Sequence, residues 1–228
     1  MKFTCITFVT ILLNFNLPAQ APFNRDTVKA GPFDNGKMWT FDFPPAAYFE
    51  KTYDFKPTQE WFDGVRMSAL RFADWCSASF VSAEGLVMTN HHCARDVAMQ
   101  VQKQEENFLN NGFYAKTLEE ERKIPELFVD QLVLIEDITQ RVQKAFNKGQ
   151  TDEEKVKLRD AEFENIEKEY GQKEAWKGLV LQPITLYQGA RYSLYGFKRF
   201  NDVRLVVLPE LAVAFFGGDY DNFTYPRY

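Results

Sequence analysis

The sequence predicts a mainly β protein with a helical insertion, an α+β arrangement, on three observations. Two short apolar runs, residues 76–81 and 86–89, flank Ser82-Ala83-Glu84-Gly85, with glycine at the turn. That is the pattern of a β-hairpin. From Asp96 the character changes to Gln, Glu and Lys with scattered apolar residues, which places a helical insertion over about residues 97–176. From Leu179 strand-like runs return at roughly ten-residue spacing, with Gly, Asn, Asp or Pro between them.

The first element is not part of the fold. Lys2 gives a positive start, and Ile6, Phe8, Val9, Ile11, Leu12 and Leu13 form an apolar run. Pro18-Ala19-Gln20-Ala21 then supplies an A-x-A ending. This is the pattern of a secretory signal peptide over residues 1–21, cleaved after Ala21. The run is shorter than the ~20 apolar residues of a spanning helix, and no other segment of the chain is long and apolar enough, so no membrane span is expected. Export to the periplasm, the cell surface or the medium is the implied destination.

Residues 22–40 look irregular. Thr58 stands where an N-cap would open a helix through Trp61. The hairpin follows. Within the insertion, Leu132, Ile135, Val142 and Phe146 keep helical spacing, and Thr151-Asp152-Glu153-Glu154 is a capping box. Val156, Phe163, Ile166 and Tyr170 then share one face of a charged helix that Gly171 can stop. Runs at 179–187, 192–197, 203–208 and 211–216 suggest a β-meander or part of a barrel.

Composition bounds the function. The 228 residues are 45% hydrophobic and 16% aromatic, enough for a buried core, and the formal charge is −5 with a pI near 5.2. A nucleic-acid binder working through a basic face is not indicated. With Cys5 inside the signal peptide, two cysteines remain, Cys76 and Cys93. In an oxidising compartment they read as one disulfide, with two free thiols as the alternative.

The two histidines of the chain are adjacent, in Asn90-His91-His92-Cys93, at the end of the hairpin's second strand. Side chains alternate along a strand, so the two rings are expected on opposite faces, and one of them can serve a site. A Cys76–Cys93 bridge would pin the backbone beside His92, and a general base needs that fixity. A zinc site built from His91, His92, Cys76 and Cys93 matches no common ligand spacing, so neither a metal nor any other cofactor is expected.

This arrangement resembles the trypsin-like serine peptidases, in which a strand, a turn and a second strand lead to a catalytic His followed by a disulfide-bonded Cys. A narrower resemblance lies in Gly36-Lys37-Met38-Trp39-Thr40-Phe41-Asp42, in the stretch from Phe80 to Cys93, and in Phe216-Gly217-Gly218-Asp219-Tyr220-Asp221-Asn222-Phe223-Thr224-Tyr225-Pro226-Arg227. These three motifs, in this order, resemble the bacterial dipeptidyl-peptidases of types seven and eleven, exported serine exopeptidases that remove dipeptides from free N-termini. Lys37 departs from the usual Gly-Met-Trp.

The resemblance implies a chymotrypsin-like double β-barrel, His92 as the catalytic base, and Asn222 and Phe223 as binders of the substrate's N-terminal ammonium. An amide oxygen can accept from an ammonium and an aromatic face attracts a cation. It places the triad Asp and Ser beyond Tyr228, because Ser68 and Ser193 lack a nucleophile motif and Asp219 and Asp221 sit too early. Residues 22–228 would then be the N-terminal portion of the peptidase domain, inactive alone. The expected partners are peptides with a free N-terminus, with a homodimer open for the full-length protein. A trypsin-like endopeptidase and a non-catalytic peptide-binding relative are the competing readings.

Overall fold

The computed structural model describes residues 39–214. The signal-peptide residues and Asn222 and Phe223 lie outside them. Pro44 and Pro45 precede α1 (Ala46–Tyr53), which stops where Asp54 turns left-handed at φ 51°. Helix α2 (Gln59–Ser68) begins as its N-cap requires, with the Thr58 hydroxyl oxygen accepting from the Trp61 amide at 3.2 Å. Phe49 of α1 sits at the centre of an aromatic cluster with Tyr53, Phe55, Trp61 and Phe62.

Strands β1 (Ala69–Phe72), β2 (Cys76–Phe80) and β3 (Val87–Thr89) follow as an antiparallel series. The β2–β3 turn is the expected hairpin. Val81 donates its amide to the Leu86 carbonyl at 2.8 Å, and Gly85 takes φ +90°, a value that favours glycine. Then come α3 (His91–Met99), α4 (Phe108–Asn111), β4 (Phe113–Tyr114), β5 (Arg122–Lys123) and β6 (Val129–Asp137). Helices α5 (Thr139–Phe146) and α6 (Asp152–Gly171) lead into β7 (Val180–Leu186), β8 (Arg191–Phe200), β9 (Arg204–Leu205), β10 (Val207–Leu208) and α7 (Leu211–Ala214).

The main sheet runs β3-β2-β1-β6-β8-β7, antiparallel at every pairing, and two-stranded ladders join β10 to β4 and β5 to β9. Pro183 falls in β7 at the sheet's edge, where a missing N–H breaks no inner ladder. The α+β expectation holds as a mixed α/β fold around one large antiparallel sheet.

Three expectations need correction. The stretch 97–176 is not uniformly helical, because β6 lies inside it and occupies the middle of the sheet. Leu132 and Ile135 belong to that strand. The β6–β8 register shifts between Leu132 and Leu134, and a bulge adds one residue to one strand. Positions three apart then return to the same face. Leu132 and Ile135 accordingly pack together with Tyr195 and Phe197, while Leu134 packs with Leu194 and Tyr192 on the other side. Carbonyls at the irregularity are taken up by Arg66, whose Nη1 donates to Leu132 O at 2.8 Å and Val133 O at 2.9 Å.

The run at 203–208 splits into β9 and β10, which pair with β5 and β4 rather than extending a meander. Residues 211–214 form a helical turn instead of a strand, with Val213 and Ala214 donating to the Glu210 carbonyl. Leu-Ala-Val-Ala is a sequence that local helix propensity can claim when no neighbouring strand offers a ladder. On α6 the capping box at Thr151 and Glu154 is present, and Phe163, Ile166 and Tyr170 face the core. Val156, one turn from the start, is 42% exposed.

One polar feature crosses the sheet. Arg71 of β1, Asp130 of β6 and Arg199 of β8 are cross-strand neighbours in one row. The Asp130 side chain is fully buried and accepts from Arg71 Nη2 at 2.6 Å and from Arg199 Nε at 2.8 Å. Burial pushes its carboxyl up, and the hydrogen bonds from Arg199 and Arg71 outweigh that and hold it below the usual carboxylate range.

Candidate active site

The site is built on the turn from β3 into α3. Thr89, the last residue of β3, donates its hydroxyl to the Ser77 carbonyl at 2.8 Å, tying the strand end to β2. Asn90 is the N-cap of α3 in extended conformation, and its carbonyl accepts from the Cys93 amide at 3.0 Å. The two histidines therefore open a helix rather than closing a strand, which corrects the expectation. Successive residues on a helix diverge by about 100° instead of 180°, so the two rings still serve different surroundings.

His91 turns toward the end of β10, where its Nε2 donates to the Pro209 carbonyl at 3.1 Å. A carbonyl only accepts, so Nε2 carries the proton. His92 is exposed, and among the described residues its imidazole has no hydrogen-bond partner. Cys93 is buried in the cluster of Leu70, Phe72, Ala98 and Phe108 and forms the expected disulfide with Cys76, at a Cα–Cα distance of 6.1 Å.

The turn is thus fastened to β2 twice, by the disulfide and by the Thr89 hydroxyl. A third fastening was not anticipated. The Trp75 indole N–H donates to the Cys93 carbonyl at 3.3 Å, although the ring is 55% exposed. The signal available in the sequence was its position directly before Cys76, which brings any side chain there beside the bridge.

The His92 ring, Cys76 Sγ and Cys93 Sγ have donor atoms within 4.8 Å of one another. The sulfurs are spent in the disulfide, and thiolates are what a zinc site needs. The donor set does not fit a metal in this state. What the arrangement offers is an accessible imidazole on a backbone fixed from three sides, suited to taking and returning a proton.

The two serines considered from the sequence, Ser68 and Ser193, have their hydroxyls committed elsewhere. The Ser68 hydroxyl donates to the Gly64 carbonyl at 2.8 Å. Ser193 is buried in β8 and donates to Asp42 Oδ2 at 2.6 Å, and the Tyr195 hydroxyl donates to Asp42 Oδ1 at 3.2 Å. Burial, reinforced by the Asp42 and Tyr187 charges, pushes the Tyr195 phenol up. Asp42 is an anchor that ties the segment before α1 onto the sheet. Asp219, Asp221, Asn222 and Phe223 lie outside the described residues.

Comparison with known proteins follows the same line. The family model described as Peptidase S46 matches residues 33–228. Over 166 residues the chain is 31% identical to dipeptidyl-peptidase 7 of Capnocytophaga gingivalis, covering 73% of this chain and 23% of that protein. Over 183 residues it is 34% identical to the Asp/Glu-specific dipeptidyl-peptidase of the same organism, covering 78% and 25%. The crystal structure of Porphyromonas endodontalis DPP11 with the dipeptide Arg-Glu superposes with a TM-score of 0.59 at 29% identity, over 71% of this chain and 24% of that one. The chain spans about a quarter of the length of the curated relatives it matches. With a matching model from residue 33 onward, relatives that agree in sequence and a solved structure that agrees in fold, the chain belongs to the peptidase S46 family.

Proposed function

We propose that this chain is the N-terminal portion of an exported serine-type dipeptidyl-peptidase and that His92 is its general base. The observation that carries the reading is the exposed His92 imidazole on a turn held by the Cys76–Cys93 disulfide, in a chain of the peptidase S46 family. The parent fold is a chymotrypsin-like double β-barrel, to which the six-stranded sheet contributes the first barrel. The remainder of a longer polypeptide supplies the nucleophilic serine and the carboxylate that orients His92. Export rests on the pattern of residues 1–21 and on the disulfide, which belongs to an oxidising compartment.

The chemistry is acyl transfer. The serine hydroxyl attacks the carbonyl of the second residue's peptide bond, and His92 takes its proton. The imidazolium then protonates the departing amine, and an acyl-enzyme remains. Water, deprotonated by His92, attacks that ester and frees the dipeptide. Asn222 and Phe223 hold the substrate's N-terminal ammonium, the amide oxygen accepting from it and the ring facing its charge. An amine held at one fixed point two residues from the serine is what limits the product to a dipeptide.

The test uses the gene product extended past codon 228 to the length of the relatives. Paired fluorogenic dipeptide substrates, with free and with acetylated N-termini, are offered to it. Release from the free form alone is expected. Equal cleavage of both would indicate an endopeptidase, and cleavage of neither would indicate a peptide-binding relative. Either outcome overturns the proposal.

A further inference from the structure

The loop Ala73-Asp74-Trp75 joins β1 to β2, where Phe72 and Cys76 are paired. Its backbone is strained. Ala73 is buried and left-handed at φ 49°, a conformation that disfavours any residue with a Cβ. The Ala73 amide donates to the Phe128 carbonyl at 3.0 Å, which ties the loop to the residue just before β6. The Trp75 indole thereby receives a fixed place. Its ring meets Phe72 edge-on, with centroids 6.3 Å apart, and stays more than half exposed. Packing alone does not account for a large apolar ring left so open to water. What the loop does deliver is a single donor, since an indole N–H can only donate, and it goes to the Cys93 carbonyl at 3.3 Å.

Cys93 directly follows His92, and each of its bonding groups is taken. The amide donates to the Asn90 carbonyl at 3.0 Å, the sulfur is bonded to Cys76, and the carbonyl receives Trp75. A disulfide contains rotatable bonds. Alone, it limits how far the start of α3 can move and leaves that start free to swing. A second attachment on the same residue removes the swing. We propose that Trp75 is a positioning residue for the base: its indole N–H fixes the rotation of the first turn of α3 and so aims the His92 imidazole. This rests on the reading of His92 as the general base. The role requires no contact with substrate. Loss of the N–H should therefore lower kcat and leave KM nearly unchanged.

Two variants of the full-length protein separate donor from ring. Trp75→Phe keeps an aromatic ring against Phe72 and deletes the N–H. Trp75→Gln deletes the ring and keeps an N–H donor at similar reach. On a dipeptidyl substrate with a free N-terminus, Trp75→Phe should lower kcat about tenfold with KM within about twofold, and Trp75→Gln should recover most of the kcat. A kcat in Trp75→Phe within twofold of wild type would overturn the proposal, because the disulfide would then suffice. Failure of Trp75→Gln to recover kcat would overturn it too, by assigning the effect to the ring. A raised KM with kcat kept would make the ring a substrate contact, which is a different role. Hydrogen–deuterium exchange over residues 91–97 reads the clamp without any substrate. Exchange should quicken in Trp75→Phe and return toward wild type in Trp75→Gln, and unchanged exchange in Trp75→Phe would overturn the clamp itself. A wild type that cleaves no dipeptide would overturn the reading of His92 instead, so the two failures are told apart.

Discussion

The His92 turn and the Arg71–Asp130–Arg199 row are both polar features within the same sheet-and-helix scaffold, and they are finished in opposite ways. In the row every strong group is answered. Asp130 receives both guanidiniums, Arg71 also donates to Gln182 at 2.8 Å, and each arginine lies over an aromatic ring, Phe197 or Phe128. In the turn the backbone is fastened three times, and the imidazole at its tip is left unanswered among the described residues. A saturated charge cluster has nothing left to give a substrate, whatever its charge. A rigid support with one open group can act on one. Number of charges is thus a poor guide to a site, and unmet bonding capacity at a fixed place is a better one.

The largest expected effect breaks the comparison at its functional end. In the full-length enzyme, His92→Ala should lower kcat by roughly 10⁴–10⁶-fold, the scale on which loss of a triad member acts. Circular dichroism and the melting temperature should stay near wild type, because the ring is exposed and makes no hydrogen bond among the described residues. A mutant that keeps more than a tenth of wild-type kcat would leave the turn as structural as the row.

At the structural end, Asp130→Ala should destabilise by about 3–5 kcal/mol, because two guanidiniums would be left facing each other around a vacated site. Urea denaturation measures it. A change under 1 kcal/mol would mean that water already screens the row. Reducing the Cys76–Cys93 bridge, which closes a loop of 17 residue steps, should cost about 3 kcal/mol. Non-reducing peptide mapping should first show the linked pair. If melting is unchanged by reductant, the turn is held by its hydrogen bonds alone.

Acid sharpens the contrast further. The folded Asp130 carboxyl lies below its unfolded value, so it stabilises above about pH 4 and that contribution fades as pH falls through the folded value. Glu106 behaves likewise, its carboxyl held down to about 2 by hydrogen bonds from Arg122 and the Lys103 amide. Stability should therefore drop between pH 4 and 2, and more shallowly in Asp130→Asn than in wild type. An equally steep fall in Asp130→Asn would assign the acid sensitivity elsewhere. The smallest effect is at the Thr151 capping box, where Thr151→Ala should cost about 1 kcal/mol by thermal denaturation. No measurable change there would mean that the packing of Ile166 and Phe163 alone fixes the helix.

Features governed by neighbouring residues were legible in the sequence. The Ser82–Gly85 turn, the Thr58 and Thr151 caps and the Cys76–Cys93 pair are each decided within a few residues or by a count of two. Features decided across the chain were not. Leu132 and Ile135 carried a spacing of three that fits a helix and a bulged strand equally, and β1 and β8 settled the matter from about 60 residues away on either side. Among the described residues the Leu211 segment has no partner strand, which no local pattern announces. Within the site, the Cys76–Cys93 disulfide beside His92 was readable from a count of two cysteines. The bond from His91 to Pro209 was not, because nothing in either neighbourhood encodes a contact 118 positions long.

The charged row also sets a clock. Asp130 receives one arginine from 59 residues before it and the other from 69 residues after it. At a ribosomal rate of roughly 5–20 residues per second, Asp130 waits about 3–14 s for Arg199 to be made. Until then the middle strand carries a carboxylate with half its counter-charge, and burying it is unfavourable. The sheet cannot close early around its own centre. The nascent chain is therefore expected to keep its central strand unsealed through that interval, the state that the export proposed above would require.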